Sequence, residues 1–228
     1  MKVAAVVVLV VAGFWAWRHH QHTVLQNKLS AVASELAGRP VRVDCQGFFS
    51  EFLDINNRTG EVQFSPDGRP ADSTFLTRSI CGALSKFMTA SAHPRLDCLI
   101  GVNWAGLPVQ DAFESPCAEG AQSASEAIAT LAHESMHLRG WQGEAQAQCY
   151  AIQEMPWTVV RLGGTPQEGA GVAAFILARQ PGMPSEYQST ECRAGGSLDL
   201  HPETGDFPAE PVPQLLPPGL AGPSLAAR

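Results

Sequence analysis

The sequence predicts an α-rich α+β domain over residues 41–200, and three observations lead to this prediction. The 228 residues are 45% hydrophobic and only 16% charged, which supplies enough apolar side chain for a core and excludes a solvated, unfolded chain. Several stretches carry apolar residues at helical spacing, whereas only two short segments alternate as strands do. The formal net charge of -7, without basic runs, excludes nucleic acid as a partner.

The chain opens with an unbroken apolar run, Val3–Trp17. It is shorter than the roughly 20 residues of a full membrane span. However, no small-residue cleavage site follows it, and the indoles of Trp15 and Trp17 suit a membrane interface. We therefore predict a signal anchor or transmembrane segment over residues 1–20, in preference to a cleaved signal peptide or a buried helix. Helical spacing of apolar residues continues over 21–40, which predicts a stalk helix or linker.

Six cysteines are scattered along the chain without a Cys-x-x-Cys pair. Behind a secretory segment, this pattern predicts at least two disulfides and an oxidising compartment, with buried free thiols as the alternative. We place the domain outside the cytoplasm, on a single-pass cell-membrane protein or, alternatively, on a secreted one. The pairing is left open by the sequence among Cys45, Cys81, Cys98, Cys117, Cys149 and Cys192.

Within the domain, strands are predicted at Val41–Val43 and Glu61–Phe64 because apolar residues alternate there. A helix is predicted to begin at Asp72 or Ser73, since either side chain is a good N-cap. Further helices are predicted over three stretches, namely 124–139, 144–154 and 168–180. Prolines concentrate after residue 201, which predicts a disordered, Pro-rich tail over residues 201–228.

The strongest chemical signal is His133-Glu134-Ser135-Met136-His137, an HExxH sequence inside a predicted helix. Histidines at positions i and i+4 lie about 40° apart on one helix face, so both imidazoles can reach one metal ion. Glu134 follows the first histidine directly, where it can hold a water molecule and accept its proton. The pattern predicts a zinc ion bound by both histidines, with Glu134 as general base.

Glu144 is the predicted third ligand. On an uninterrupted helix it would lie about 10 Å beyond His137 along the axis, out of reach of the same ion. A chain reversal between Gly140 and Gly143 would bring it back from a second helix. Two histidines and one carboxylate leave a fourth coordination position for water, which is the arrangement of catalytic zinc sites.

The segment from Glu144 to Ala151, EAQAQCYA, resembles the E-x-x-A-D-x-x-A segment of gluzincin metallopeptidases. It is most similar to the corresponding helix of bacterial neutral zinc metallopeptidases, and also to short actinobacterial anchored or secreted proteins with the same two motifs. The resemblance covers residues 124–154. It implies a zincin-like catalytic domain, Glu144 as a zinc ligand, and peptides or proteins as substrates.

The sequence departs from the gluzincin pattern at two places. Only six residues separate His137 from Glu144, far fewer than in gluzincins. Gln148 stands where the family has an Asp that orients a ligand histidine, and a Gln accepts such a hydrogen bond more weakly than a carboxylate does. We predict Gln148 in this supporting role. A metzincin is excluded, because its third ligand would fall on Gly143.

Two functions follow from these residues. The first is a membrane-anchored or secreted zinc metallopeptidase that hydrolyses peptide bonds. The second is a non-catalytic extracytoplasmic protein, either a degenerate zincin or an envelope interaction module. Zincins commonly add a residue that stabilises the oxyanion, and the sequence does not choose among Tyr150, Tyr187, Arg161, Arg193 and His201.

Overall fold

The computed structural model describes residues 2–46, 59–89, 91, 93–94, 96–104, 107, 109–113, 117 and 119–208. These residues form a helix-rich α+β fold, 59% helical, with a small three-stranded sheet. The predicted α-rich α+β class is therefore confirmed. Of the predicted Pro-rich tail, residues 209–228 lie outside the described residues.

Helix α1 runs without interruption over Lys2–Ala37. Its second half belongs to the domain, since the side chains of Leu29 and Ala33 are fully buried there. Gly38 follows the helix with a positive φ of 69°, a conformation that favours glycine and ends many helices. Residues 29–37 of the segment predicted as stalk or linker thus contribute to the core.

The first half of α1 carries large apolar side chains that the domain leaves exposed, among them Val10, Val11, Phe14, Trp15 and Trp17. Among the described residues, no helix combines the length and the apolar character that crossing a membrane requires. The signal anchor over residues 1–20 stays a prediction.

The sheet consists of β1 (Arg42–Cys45), β2 (Gly60–Phe64) and β3 (Pro70–Leu76), in the order β1-β3-β2. The central strand β3 is parallel to β1 and antiparallel to β2. Both strands expected from the sequence are present, while β3 is additional. Because β2 is an edge strand, one of its sides faces away from the sheet.

The prediction that a helix begins at Asp72 or Ser73 is wrong, because both residues lie in β3. Helix α2 begins five residues later and spans Arg78–Phe87. Thr77 is its N-cap, and the hydroxyl of Thr77 accepts a hydrogen bond from the backbone N–H of Ile80. The chain before Thr77 stays extended because it pairs with strands on both sides.

Four helices complete the domain, namely α3 (Val109–Phe113), α4 (Glu119–Arg139), α5 (Glu144–Arg161) and α6 (Pro166–Arg179). Helix α4 is central: it packs against α1, α2, α5 and the sheet. Most of its second half is buried on all sides, which explains the uncharged residues around the HExxH sequence.

Helix α5 is longer than predicted, because it continues through Pro156 rather than ending before it. Proline inside a helix loses one backbone hydrogen bond. Tight packing accompanies this irregularity: a Cβ on Gly169 of α6 would lie 2.6 Å from the Cα of Pro156. Burial between α4 and α6 therefore keeps α5 helical where local preference favours a break.

Three disulfides use all six cysteines, which confirms the prediction of at least two. Each closes a loop of 19 to 43 residues, a size that stabilises a folded chain by about 3–4 kcal/mol on the chain-entropy account. The bonds are Cys45–Cys81, Cys98–Cys117 and Cys149–Cys192. The third ties α5 to the segment that follows α6.

Candidate metal centre

Helix α4 presents His133 and His137 on one face, and both side chains are almost fully buried. Their Nε2 atoms are 3.0 Å apart and their rings are perpendicular, with centroids 4.6 Å apart. Two Nε2 atoms that point at the same place inside a protein can supply two ligands of a metal site.

Glu144 reaches the histidines because the chain reverses after α4. Gly140 makes this turn possible with a φ of 115°, and Glu144 is then the first residue of α5. Its Oε2 atom lies 3.0 Å from Nε2 of His133 and 3.2 Å from Nε2 of His137. The structure thus brings together the three residues that the sequence predicts as ligands.

The donor set fits a zinc ion. Tetrahedral nitrogen and oxygen ligands at 2.0–2.2 Å from zinc are about 3.3–3.6 Å from one another. The observed separations of 3.0–3.2 Å between His133, His137 and Glu144 lie within about half an ångström of that range. Small rotations of the three side chains would admit the ion without any change in the backbone.

The protonation states also favour metal binding. Burial lowers the pKa of His137, and the neighbouring His133 lowers it further. The hydrogen bond with His133 lowers the pKa of Glu144, against the opposing effect of burial. Neutral imidazole and ionised carboxylate are the forms that coordinate metals, so both shifts favour the coordinating forms of His137 and Glu144.

The two histidines differ in how their second nitrogen is held. Nδ1 of His137 lies 2.6 Å from the carbonyl oxygen of Trp141, to which it donates, so that Nε2 is free for a metal. Nδ1 of His133 is buried and has no hydrogen-bond partner in the described part of the chain. The Trp141 carbonyl was missed by sequence reasoning, because a backbone group leaves no signal in side-chain patterns.

Gln148, predicted to support a ligand histidine, lies on α5 in the same cleft. Its amide nitrogen is 3.9 Å from Sδ of Met183. The amide is therefore directed at the segment after α6 rather than at the unpartnered nitrogen of His133.

Glu134 is buried beside the three ligand residues. Burial raises its pKa to about 7, Glu144 contributes in the same direction, and His133 opposes both. Its Oε2 atom lies 3.4 Å from the hydroxyl of Thr74 on β3, and its carboxyl group packs against Gly60 on β2. A buried carboxyl group that exchanges a proton near neutral pH is typical of functional sites.

A cleft of about 780 Å³ opens over these side chains. Helix α4 forms its floor, β2 one wall, and α6 with residues 183–187 the other wall. Its volume is in the range of clefts that bind small ligands or short peptide segments.

Among the five residues considered for the oxyanion, Tyr187 is the one that lines the cleft. Its ring centroid is 5.6 Å from that of His133. The other four have partners elsewhere: Tyr150 packs on Trp141, while ion pairs join Arg161 to Glu35, Arg193 to Glu191 and His201 to Glu203. Cys149, which lies on the same helix as Glu144, is used in a disulfide.

Comparison of the chain with models of known protein families, with curated proteins and with solved structures finds no match. The arrangement of side chains in the cleft is therefore the basis on which a function is assigned.

Proposed function

We propose that this protein is a zinc-dependent metallopeptidase with a zincin-like domain that acts outside the cytoplasm. One observation carries the proposal: His133, His137 and Glu144 converge within 3.2 Å, and a buried Glu134 lies beside them in an open cleft. A structural zinc site would be closed by a fourth protein ligand. Here the described residues offer three ligands and a cleft large enough for a substrate.

Three side chains would hold the ion, through Nε2 of His133, Nε2 of His137 and Oε2 of Glu144. Zinc, when bound, supplies Lewis-acid activation of a water molecule and of the peptide carbonyl. The Trp141 carbonyl keeps His137 in the tautomer that can coordinate.

Glu134 is proposed as the general base. It is one residue from a ligand but is not among the three converging groups, so it can contact the attacking water without entering the coordination shell. It accepts a proton from that water and returns it to the leaving amine, which completes hydrolysis of the peptide bond.

The position of β2 supports a peptide as the substrate. This edge strand lines the cleft next to Glu134, with Gly60 at one end and Phe64 against the ring of His137 at the other. An extended peptide can add to a free strand edge through main-chain hydrogen bonds. β1, the other predicted strand, lies at the opposite edge of the sheet and does not line the cleft.

The proposed location is the outer face of a cell membrane, held by the apolar segment Val3–Trp17, with secretion as the alternative. Three disulfides are consistent with an oxidising compartment. The exposed indoles of Trp15 and Trp17 suit the interface of a bilayer. The resemblance of residues 124–154 to gluzincins supports the peptidase.

A second function is favoured by one observation, namely the unpartnered Nδ1 of His133. Ligand histidines usually donate their second nitrogen to a carboxylate or carbonyl, and loss of such a partner weakens metal binding by about 10- to 100-fold. A degenerate zincin that binds metal weakly and hydrolyses nothing would tolerate this defect. The experiment has to distinguish this degenerate zincin from an active metallopeptidase.

The test combines metal analysis with hydrolysis. Purified protein with its disulfides intact should contain one zinc per chain, as measured by inductively coupled plasma mass spectrometry. The same protein should cleave a denatured protein or members of a broad peptide library. A chelator should abolish cleavage, and added zinc should restore it. Zinc at one per chain without cleavage of any library peptide would favour the degenerate zincin, whereas protein without zinc affinity would overturn both functions.

A further inference from the structure

The hairpin formed by β2 and β3 contacts both carboxylate oxygens of Glu134. On one side, the Oε1 end of the carboxyl group packs against Gly60 of β2. On the other side, Oε2 is 3.4 Å from the Thr74 hydroxyl of β3, whose single proton is donated to the carbonyl oxygen of Glu61 at 2.9 Å. The two strands thus hold a side chain that belongs to α4.

The contact at Gly60 leaves no space for a side chain. A Cβ at this position would lie 2.7 Å from Cγ, 2.7 Å from Oε1 and 2.8 Å from Cδ of Glu134. Carbon atoms in contact are normally 3.5–4.0 Å apart, so a methyl group would displace the carboxyl group by about 1 Å. All three nearest atoms belong to Glu134, which identifies this side chain as the reason for a glycine here.

Glu134 has little freedom to avoid such a displacement. It is buried, and the Thr74 hydroxyl stands on its opposite side. Its neighbour His133 is packed against His137 and Tyr187. A buried side chain that is bounded on both sides keeps one position, and protein interiors resist added volume.

We infer that Gly60 is a positioning residue for Glu134, and that the β2–β3 hairpin sets the place of the proposed general base relative to the metal ligands. The catalytic consequence rests on the proposed function, whereas the contact itself does not. A catalytic group displaced by about 1 Å can lose on the order of a hundredfold in rate. Gly60 therefore acts on turnover through Glu134 rather than by touching the substrate.

The first experiment tests the contact between Gly60 and Glu134 through Tm, and it requires no enzymatic activity. Gly60→Ala is compared with wild type, and the same change is made in a Glu134→Ala background, all in the presence of a chelator. With Glu134 present, the added methyl should lower Tm by about 2–10 °C, the range for overpacking in a domain of this size. In the Glu134→Ala background there is room for the methyl, so the shift should fall below about 1 °C.

The matched control is Gly82→Ala on α2, where an added Cβ meets nothing within 4 Å. This variant should leave Tm unchanged or raise it slightly in both backgrounds, because alanine favours helix over glycine. Equal Tm losses for Gly60→Ala in both backgrounds would overturn the inference. Should the single variant fail to fold, folding of the double variant supports the inference, and failure of both contradicts it.

The second experiment tests the position of the Glu134 carboxyl group through kcat rather than through stability. Gly60→Ala should lower kcat by about a hundredfold with KM and zinc content little changed. In a Glu134→Asp background, whose shorter side chain leaves room for the methyl, the same change should cost less than about threefold. If the kcat losses of the two single variants multiply to the loss of the double variant within about twofold, the two residues do not interact. If wild type hydrolyses nothing, the proposed function fails, and the Tm comparison alone decides whether Gly60 holds Glu134.

Discussion

The candidate metal ligands and the groups around them are assembled over very different distances along the chain. His133, His137 and Glu144 come from one short stretch, and a single turn between α4 and α5 brings them together. The cleft wall opposite Glu144 comes from Gly60 on β2, and Tyr187 comes from beyond α6. We refer to residues 133–148 as the ligand segment, and to Gly60, Thr74 and Tyr187 as the remote contacts.

Because the two groups of residues are assembled independently, substitutions can change zinc affinity and turnover separately. The ligand segment needs a helix, a turn and the start of a second helix, all of which form through local hydrogen bonds. The remote contacts depend on the sheet, on the segment after α6 and on the disulfide that ties this segment to α5. Changes in the ligand segment should therefore alter zinc affinity first, while changes in the remote contacts should alter turnover and leave zinc affinity little changed.

The largest effect is expected within the ligand segment. His137→Ala removes a ligand and also leaves the Trp141 carbonyl without its donor. Zinc content should fall from one per chain to background, and hydrolysis should vanish with it. Metal analysis after dialysis, together with peptide cleavage, measures both. If His137→Ala keeps one zinc per chain, a group other than His137 coordinates the ion.

Glu134 belongs to the ligand segment by position but to the remote contacts by its packing. Glu134→Gln keeps the shape of the side chain and removes the base. Turnover should fall by about 10²–10⁴, the usual range for loss of a general base. Zinc content should stay at the wild-type level, which distinguishes this variant from His137→Ala. Hydrolysis at the wild-type rate would falsify the assignment of Glu134 as base.

Tyr187 tests the remote contacts directly. If its hydroxyl stabilises the oxyanion, Tyr187→Phe should lower kcat by about a hundredfold and leave zinc content unchanged. The chain offers a matched control, because it contains only one other tyrosine, Tyr150, which packs on Trp141 away from the cleft. Tyr150→Phe should retain turnover. Equal rates for the two variants would remove Tyr187 from the mechanism.

The smallest effect is a gain of function in the ligand segment. Gln148→Asp introduces a carboxylate on α5, in the cleft that His133 also lines and near the residue whose Nδ1 has no partner in the described part of the chain. Zinc affinity should rise by about tenfold or more, as expected when a ligand histidine acquires a carboxylate partner. Competition with a chromogenic chelator measures the change. Gln146→Asp on the same helix is the control, and it should leave zinc affinity as it was.

The outcome at Gln148 also separates the two proposed functions. If Gln148→Asp raises zinc affinity and converts an inactive protein into a peptidase, the natural protein is the degenerate zincin. If wild type is already active and the variant only binds zinc more tightly, Gln148 is a tolerated departure in an enzyme. No change in zinc affinity would mean that position 148 does not act on His133.

The fold shows the same contrast between elements that local sequence predicts and elements that depend on contacts with distant parts of the chain. Helices α4, α5 and α6 are present where apolar spacing predicts them, although α4 begins five residues earlier and α5 ends seven residues later than predicted. Strand β3 was missed, and its residues Asp72 and Ser73 were assigned to a helix start. Nothing in residues 70–76 alternates strongly. They are extended because β1 and β2 supply hydrogen-bond partners on both sides.

The candidate ligand set and the presence of disulfides could be predicted from the order of the residues alone. Histidines at i and i+4 share a helix face whatever the surrounding fold, and Gly140, with its positive φ, allows the reversal that brings Glu144 back to them. Six scattered cysteines behind an apolar segment indicated disulfides, although not their pairing.

The remote residues that meet the ligand segment became known from the packing of the folded chain. Gly60 touches Glu134, Tyr187 rather than Tyr150 enters the cleft, and the amide of Gln148 contacts Met183. None of these contacts has a periodic signature, because each joins residues whose separation along the chain bears no relation to their distance in space. Helical spacing is set by hydrogen bonds four residues apart, whereas these contacts exist only after the sheet and the helices have packed.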